Sequence, residues 1–501
     1  KAAASELGQV NLVTTSGANR GGSPAANTLS DPSSIAVDPI SGKVFVADSG
    51  NNRVLRYLST SALTNGAAAE AVLGQGTLET TAGATTLSRF SDPKSICCDS
   101  EGRLWVLDGN RVVRFDNAGT IATGANANGV LGQTDFVATA ANNGQNGLGN
   151  PAAIRVSITG TLWVSSPDLN RVSRFGSAAT KPNGVNADTV LGQLDFVAST
   201  AATTAAGMSS PTGLVTDLAG NLYVSDTGNH RVLLFYDADT GISGRDANVV
   251  LGQLVKTTAT ASAGTFGMNN PTGLAINPLG TLFVADQGND RVLLFQSAAG
   301  RGDGGAASRI LGQSALESPT ALGIDRSFVS VQGLWADGNR RLWAADPGLD
   351  RVLRFETDQY QPDALIGQTP ASFLGDGRYN LNGVGQSSKV IAKSLKTGRG
   401  YLRIQNDGDV VDNHVLTASP GNRFIQLAYF RTPGGNVTAA ITTGRLTLTT
   451  VAPGGFTSLQ IRATGTREFK LRSTSLKAKI GAESVTDGSA DRVNCLILKQ
   501  R

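Results

Sequence analysis

Aspartate is followed by arginine at short spacing again and again in this chain. Asp48 and Arg53, Asp226 and Arg231, Asp286 and Arg291, and Asp346 and Arg351 lie five residues apart, and Asp108 and Arg111 three apart. Across a tight turn, a carboxylate and a guanidinium form charge-assisted hydrogen bonds that fix the turn. A catalytic set is singular, whereas this pair recurs, so it is read as structural. Arg171 stands in the same place although Ser166 replaces its aspartate. Histidine, the usual general base near neutral pH, occurs twice, as His230 and His414. His230 lies inside the recurring Asn-x-Arg segment, and no acid–base partner is evident for His414. Two His and three Cys in 501 residues support neither a Cys/His zinc site nor a disulfide framework. Cys97 and Cys98 face opposite sides of a strand and are read as small apolar fillers, with a vicinal disulfide as the alternative; Cys495 stands alone. No catalytic or metal-binding residue is assigned.

The segments carrying these pairs repeat. The arginines Arg53, Arg111, Arg171, Arg231, Arg291 and Arg351 are spaced 58, 60, 60, 60 and 60 residues apart. In phase runs an apolar strand ending in Gly-Gln, at Gln75, Gln133, Gln193, Gln253 and Gln313, with further copies at Ile366-Gly367-Gln368 and Leu7-Gly8-Gln9. Each period holds about four short strands, rich in Val, Leu, Phe and Trp and separated by Gly, Asn, Asp and Pro. Four antiparallel strands repeated six times predict a six-bladed β-propeller, whose blades bury their faces only against one another. Ile366-Gly367-Gln368 is expected to finish blade six. That leaves Leu7-Gly8-Gln9 as a surplus strand, which adds to the ring, lies over it, or pairs with an exposed edge of a neighbouring subunit as an assembly strand.

The 60-residue period stops near Gly385. Beyond it, short alternating strands punctuated by Pro433-Gly434-Gly435 and Pro453-Gly454-Gly455 predict a β-sandwich. The expected division is therefore an N-terminal extension over 1–30, a propeller over 31–385 and a sandwich over 386–501. Residues 1–385 carry 26 Lys and Arg against 32 Asp and Glu, net −6, and residues 386–501 carry 17 against 7, net +10. Opposite charge on the two parts favours head-to-tail association, while a basic sandwich also suits an acidic polysaccharide. With 40% apolar residues and a net charge of +4, the chain is not disordered by composition. No apolar run reaches 18 residues, so no membrane-spanning helix is expected. The Thr-rich loops at Ala198–Gly207 and Thr257–Gly264 suit blade edges, subunit contacts or O-glycosylation, and Asn436-Val437-Thr438 is a lone N-glycosylation sequon.

Ser210 to Phe235, with Pro-x-Gly, then Asn221-Leu222-Tyr223-Val224-Ser225-Asp226, then Asn229-His230-Arg231-Val232, resembles an NHL repeat. The resemblance covers about residues 5–380 and implies the six-bladed propeller. For function it implies a broad set: lyases, RNA binders, protein-binding modules and secreted bacterial proteins. The lyases hold a metal with several His, and this propeller has one. Propeller lactonases hold a divalent cation with Glu, Asn and Asp, which leaves Ca2+ as the one cofactor still open; Glu is scarce in the ring. RNA-binding members use a basic face, so a net charge of −6 argues against nucleic acid. In the last part, Ile404-Gln405-Asn406-Asp407-Gly408, Tyr429-Phe430, Val437-Thr438-Ala439 and the run from Leu448 to Phe456 resemble Ig-like modules of bacterial surface proteins. That resemblance, with a chain that begins at Lys1 as a processed one would, implies an exported protein at the cell surface or outside it. The expected function is non-catalytic: a self-assembling subunit of an extracellular filament or surface layer, held by propeller–sandwich contacts and strand exchange. Its partners would be itself or other surface proteins and glycans. The alternatives are a monomeric propeller binding glycan or protein, and a metal-dependent lactonase or lyase.

Overall fold

Every repeat becomes a four-stranded antiparallel sheet in the computed structural model. Blade one runs Pro32–Val37, Lys43–Asp48, Arg53–Ser59 and Ala71–Leu73, and blades two to five follow in the same order, ending at Gly129–Leu131, Thr189–Leu191, Val249–Leu251 and Arg309–Leu311. The innermost strand of each blade contacts that of the next, and blade six returns to blade one. The structure describes residues 3–12, 17–60, 62–315, 318–321, 327–337, 341–356, 362–370, 372–374, 387–392, 395–406, 412–452, 455–466, 475–485 and 490–499.

The apolar clusters lie between blades. Cys97, Trp105 and Leu107 of blade two, for example, pack with Ile154, Leu162 and Val164 of blade three. Burying one such side chain contributes roughly 1.5–3 kcal/mol, so closing the ring, which covers the outer face of the last blade, is the step that makes all six stable together.

Closure corrects the expectation for the two extra Gly-Gln segments. Ser5–Leu7 is the outer strand of blade six, pairing Ser5 with Arg354, Glu6 with Leu353 and Leu7 with Val352. Gln9 Nε2 reaches the carbonyl of Asp350 at 3.3 Å. Gln75, Gln133, Gln193 and Gln253 make the same bond to Asn52, Asn110, Asn170 and His230 at 2.9–3.1 Å. Gly8 holds a left-handed φ of +91°, and a Cβ there would come within 2.7 Å of the Asp350 carbonyl, which is why glycine precedes the glutamine. Leu7-Gly8-Gln9 is therefore not surplus, and it is already paired within its own ring. Ile366-Gly367-Gln368 instead belongs to Pro362–Thr369, which pairs with Thr397–Asn406 in the second unit.

The chain divides into two compact units, Lys1–Thr357 and Asp358–Arg501, so the boundary lies well before residue 385. The second unit contains a six-stranded sheet in the order Ser372–Leu374, Pro362–Thr369, Thr397–Asn406, Phe456–Gly465, Ile425–Thr432, Gly435–Asn436. A five-stranded sheet runs Ser387–Ala392, Ala490–Lys499, Ser475–Ser484, Asp412–Ala418, Leu446–Val451. Strict alternation sends Leu402, Ile404, Leu459 and Ile461 of the first and Ala478, Ile480, Val493 and Ile497 of the second into one shared core. Among the described residues no helix is long and apolar enough to cross a membrane.

Candidate functional site

The recurring pairs are spread round the ring, one in every blade but the third. Arg53, Arg231 and Arg291 each donate from Nε to Oδ2 of Asp48, Asp226 and Asp286 at 2.6 Å. Arg111 reaches Asp108 at 2.7 Å and Arg351 reaches Asp346 at 3.3 Å. The second carboxylate oxygen accepts a backbone N–H from Ser30, Ser91, Ser209, Asn269 or Val329. The guanidinium also holds the carbonyl of Thr28, Arg89, Gly207, Gly267 or Ser327. Each pair thus ties two strands of its blade to the loop arriving from the previous blade. Burial pushes the Asp346 carboxyl up to about 6, with the Arg351 charge opposing it.

Blade three breaks this pattern. Ser166 donates to the carbonyl of Leu148. Arg171 is buried with carbonyls of Phe196, Asn143 and Gly144 as acceptors, and its Nε has no hydrogen-bond partner.

The two histidines have different settings. His230 is a left-handed residue whose Nδ1 accepts the backbone N–H of Asn270 in the next blade at 3.1 Å. Asn110, Asn170 and Asp350 do the same for Asn150, Ser210 and Asp31. His414 does have an acidic neighbour, contrary to expectation: its Nε2 lies 3.3 Å from Asp412 Oδ2, both side chains fully buried in the second unit. The three cysteines are free thiols. Burial pushes Cys97 and Cys495 up to about 12 and Cys98 well above the usual thiol range, so none is a thiolate nucleophile at neutral pH.

What remains singular is in the channel. The inner strands of all six blades enclose two chambers of about 280 and 360 Å3. Arg155 lines both. In the other blades its position is held by Ala36, Cys97, Val215, Ala275 and Trp335. Arg155 Nε is buried without a hydrogen-bond partner, and the side chain has no ion pair among the described residues. Burial pulls its pKa down, but from so high a starting point that the charge persists. The smaller chamber has no carboxylate in its wall; it presents Ser34, Ser95, Thr212, Thr272, Gln332 and Lys94. Lys94 already has Asp92 at 3.1 Å.

The larger chamber is lined by Asp99, Asp217, Asp337 and Asn277, whose Oδ1 atoms hold turn amides of Glu101 and Arg103, of Ala219 and Asn221, of Arg341, and of Leu279 and Thr281. In blade three Ser157 stands in the equivalent place. Asp239 reaches over from blade four instead, accepting from Ser157 Oγ at 2.7 Å and from Trp163 Nε1 at 3.3 Å. Blade three therefore departs from the repeat at positions 155, 157 and 166. No Glu lines either chamber, and among the described residues no group of three His, Cys, Asp or Glu is placed to hold a metal ion. Of the Glu, Asn and Asp set of a lactonase-type Ca2+ site, the chambers' lining supplies Asp and Asn in the larger chamber and Glu in neither. The residues sequence reasoning missed are Arg155 and Asp239; the signal for Arg155 was a cation in a column of small and apolar residues.

Six four-stranded sheets closed in a ring make the first unit a six-bladed β-propeller. Its blades are NHL repeats where the repeat model matches, at residues 29–57 and 208–235 in blades one and four. No curated protein matches the chain. Similar solved structures include a streptogramin B lyase, 14% identical over 66% of this chain and 95% of that one, with a TM-score of 0.37. The gluconolactonase XC5397 from Xanthomonas campestris is 15% identical over 65% and 86%, with a TM-score of 0.39. A catalytically inactive variant of virginiamycin B lyase from Staphylococcus aureus, with quinupristin, is 12% identical over 64% and 79%, with a TM-score of 0.35. At these scores the likenesses decide nothing about what this chain does.

Proposed function

We propose that this protein is a non-catalytic binding protein whose propeller channel receives a small, hydroxyl-bearing organic anion against Arg155. The observation that carries the reading is a cation with no ion pair among the described residues, its Nε without a hydrogen-bond partner, where the other blades place small or apolar side chains. A buried charge without an ion-pair partner is costly, and a carboxylate or sulfate would relieve that cost through paired N–H···O bonds. The hydroxyl and amide groups of the same chamber supply the complementary contacts for a polyol or sugar acid. Catalysis has no comparable support in the channel, since the thiols are protonated and His230 is committed to the blade. The exported, surface-associated setting rests on the Ig-like resemblance of the second unit. The self-assembling reading loses its strand, because Leu7-Gly8-Gln9 closes the ring. It retains one support: residues 1–357 carry 25 Lys and Arg against 29 Asp and Glu, and residues 358–501 carry 18 against 10.

The test is calorimetric titration of the full chain with gluconate, glucuronate, galacturonate and sulfate, alongside Arg155→Val, the residue blade four uses. The wild type should bind at least one of the organic anions, and the variant should bind it at least tenfold more weakly while melting at a higher temperature without ligand. No binding of any of these anions by the wild type, or equal binding by the variant, overturns the channel reading. Light scattering on the same samples separates the two readings: mass near 51.5 kDa fits a binding protein, and large species fit a polymer.

A further inference from the structure

We infer that the outer face of the six-stranded sheet in the second unit binds a linear acidic polysaccharide, one whose sugars carry carboxylate or sulfate groups at regular intervals. This surface belongs to the second unit, and what it binds does not depend on Arg155. The strands Thr397–Asn406 and Phe456–Gly465 pair along their length and send Leu402, Ile404, Leu459 and Ile461 into the core. Alternation therefore turns Arg399, Tyr401 and Arg403 outward on one strand, and Ser458, Gln460 and Arg462 outward on the other. Arg399 stands directly opposite Arg462. Like charges placed so are destabilising, and the outward positions of these two strands contain no Asp or Glu to offset them.

Two of the three guanidiniums are held in place. Arg403 lies between two rings, 4.6 Å from the centroid of Phe373 and 4.4 Å from that of Phe456. Arg462 lies 3.7 Å from the centroid of Phe430, and its Nε donates to Gln460 Oε1 at 2.7 Å. None of the three has an ion pair among the described residues, and Arg403 Nε is buried without a hydrogen-bond partner. Cation–π stacking fixes the planes and leaves N–H edges for an anion, so little side-chain freedom is lost on binding.

The layout selects the occupant. Arg399 and Arg403 are four residues apart on one strand, about 13 Å at ordinary strand rise, which calls for repeated charges rather than a single ion. The rings beneath Arg403 and Arg462 are engaged by guanidinium, which disfavours the base stacking of a single-stranded nucleic acid. A second copy of the propeller is a poor match as well. Its repeat aspartates are buried on their own arginines, and surface carboxylates such as Glu70, Asp116, Asp188 and Asp303 already have Arg or Lys partners. A flat sheet face with hydroxyl and amide groups between fixed cations suits an extended, hydroxyl-rich, anionic chain.

The test is biolayer interferometry of the full chain on immobilised polygalacturonate, a sulfated glucan, neutral dextran and single-stranded DNA at two salt concentrations. Polygalacturonate or the sulfated glucan should bind and weaken with salt, and dextran should not. The double variant R399Q/R403Q should lose at least tenfold in affinity with its melting temperature unchanged or raised, and Arg155→Val should bind as the wild type does. Equal glycan binding by the double variant overturns the proposal, as does tighter binding to DNA. So does a low-salt dimer, seen by light scattering, that the same substitutions abolish, because the face would then take a second copy.

Discussion

Glu6 sits where five other blades place Val72, Val130, Val190, Val250 and Ile310, at the centre of the outer strand. Its backbone is clasped as theirs are, with its N–H on Asn65 Oδ1 and its carbonyl on the N–H of Gly66. Its side chain is buried, and neither carboxylate oxygen has a hydrogen bond. Burial lifts the carboxyl to about 7, while the charges of Arg351 and Arg20 pull it down. In the unfolded chain the same group titrates near its ordinary value of 4.5. The folded state therefore keeps its proton longer, and the associated stability is fully present below about pH 4.5 and is lost as pH rises through about 7. A shift of that size corresponds to something on the order of 3 kcal/mol. Glu6→Val should melt a few degrees above the wild type at pH 8. That gap should shrink as pH falls to 4.5, as thermal melts across the range would show; a pH-independent gap would mean that Glu6 is not the titrating group.

Arg155 teaches a related lesson about reading residues. It was legible in the sequence once the six repeats were compared column by column, because a cation among Ala, Cys, Val, Ala and Trp has no place in a blade interior. Its type alone marks it, since it belongs to no cluster of three His, Cys, Asp or Glu among the described residues.

At the scale of the element, blade three holds the instructive exception. Arg171 keeps its carbonyl acceptors but has Ser166 where the other blades have aspartate. Ser166→Asp should supply the missing partner for Arg171 Nε, with Gly149 at the repeat position of Ser30 and Ser91, whose N–H groups hold the aspartates of blades one and two. A charge-assisted hydrogen bond of this kind contributes about 1.5–3 kcal/mol, less the loss of the Ser166 bond to Leu148. The melting temperature of the propeller should rise by a few degrees; a fall would mean that the serine bond outweighs the ion pair at this site. Strand order within the blades was readable from the period and the turn residues. The ownership of the seventh Gly-Gln segment was not read correctly, although its spacing carried the signal. Gln75, Gln133, Gln193, Gln253 and Gln313 each follow their blade's arginine by 22 residues, whereas Gln368 follows Arg351 by 17.

At the scale of the molecule, the boundary between the units is the test of that reassignment. Ala364 and Ile366 are buried in the core of the second unit, and their strand covers the edge of Thr397–Asn406. A fragment of residues 358–501 should melt cooperatively by calorimetry. A fragment of 386–501, cut where the repeat period ends, should aggregate or melt without a sharp transition, because it lacks two core side chains and exposes an edge strand. Equal behaviour of the two fragments would return Pro362–Thr369 to the propeller. The end of the 60-residue period near Gly385 falls later than the division at Thr357 and Asp358, since a strand ending in Ile-Gly-Gln has the same local pattern in either unit and only its pairing partner distinguishes them.

The seam between Leu7 and Val352 also bears on how the molecule is made. Nearly the whole propeller must leave the ribosome before the strand at residues 5–7 has anything to pair with, an interval of some tens of seconds at about 5–20 residues per second. Throughout it the nascent chain carries an uncovered apolar face on blade one, in want of blade six, and a detached strand held in reserve. The last blade of the ring is thus completed by a strand synthesised before all the others of that ring, so each newborn propeller is committed to its own early segment.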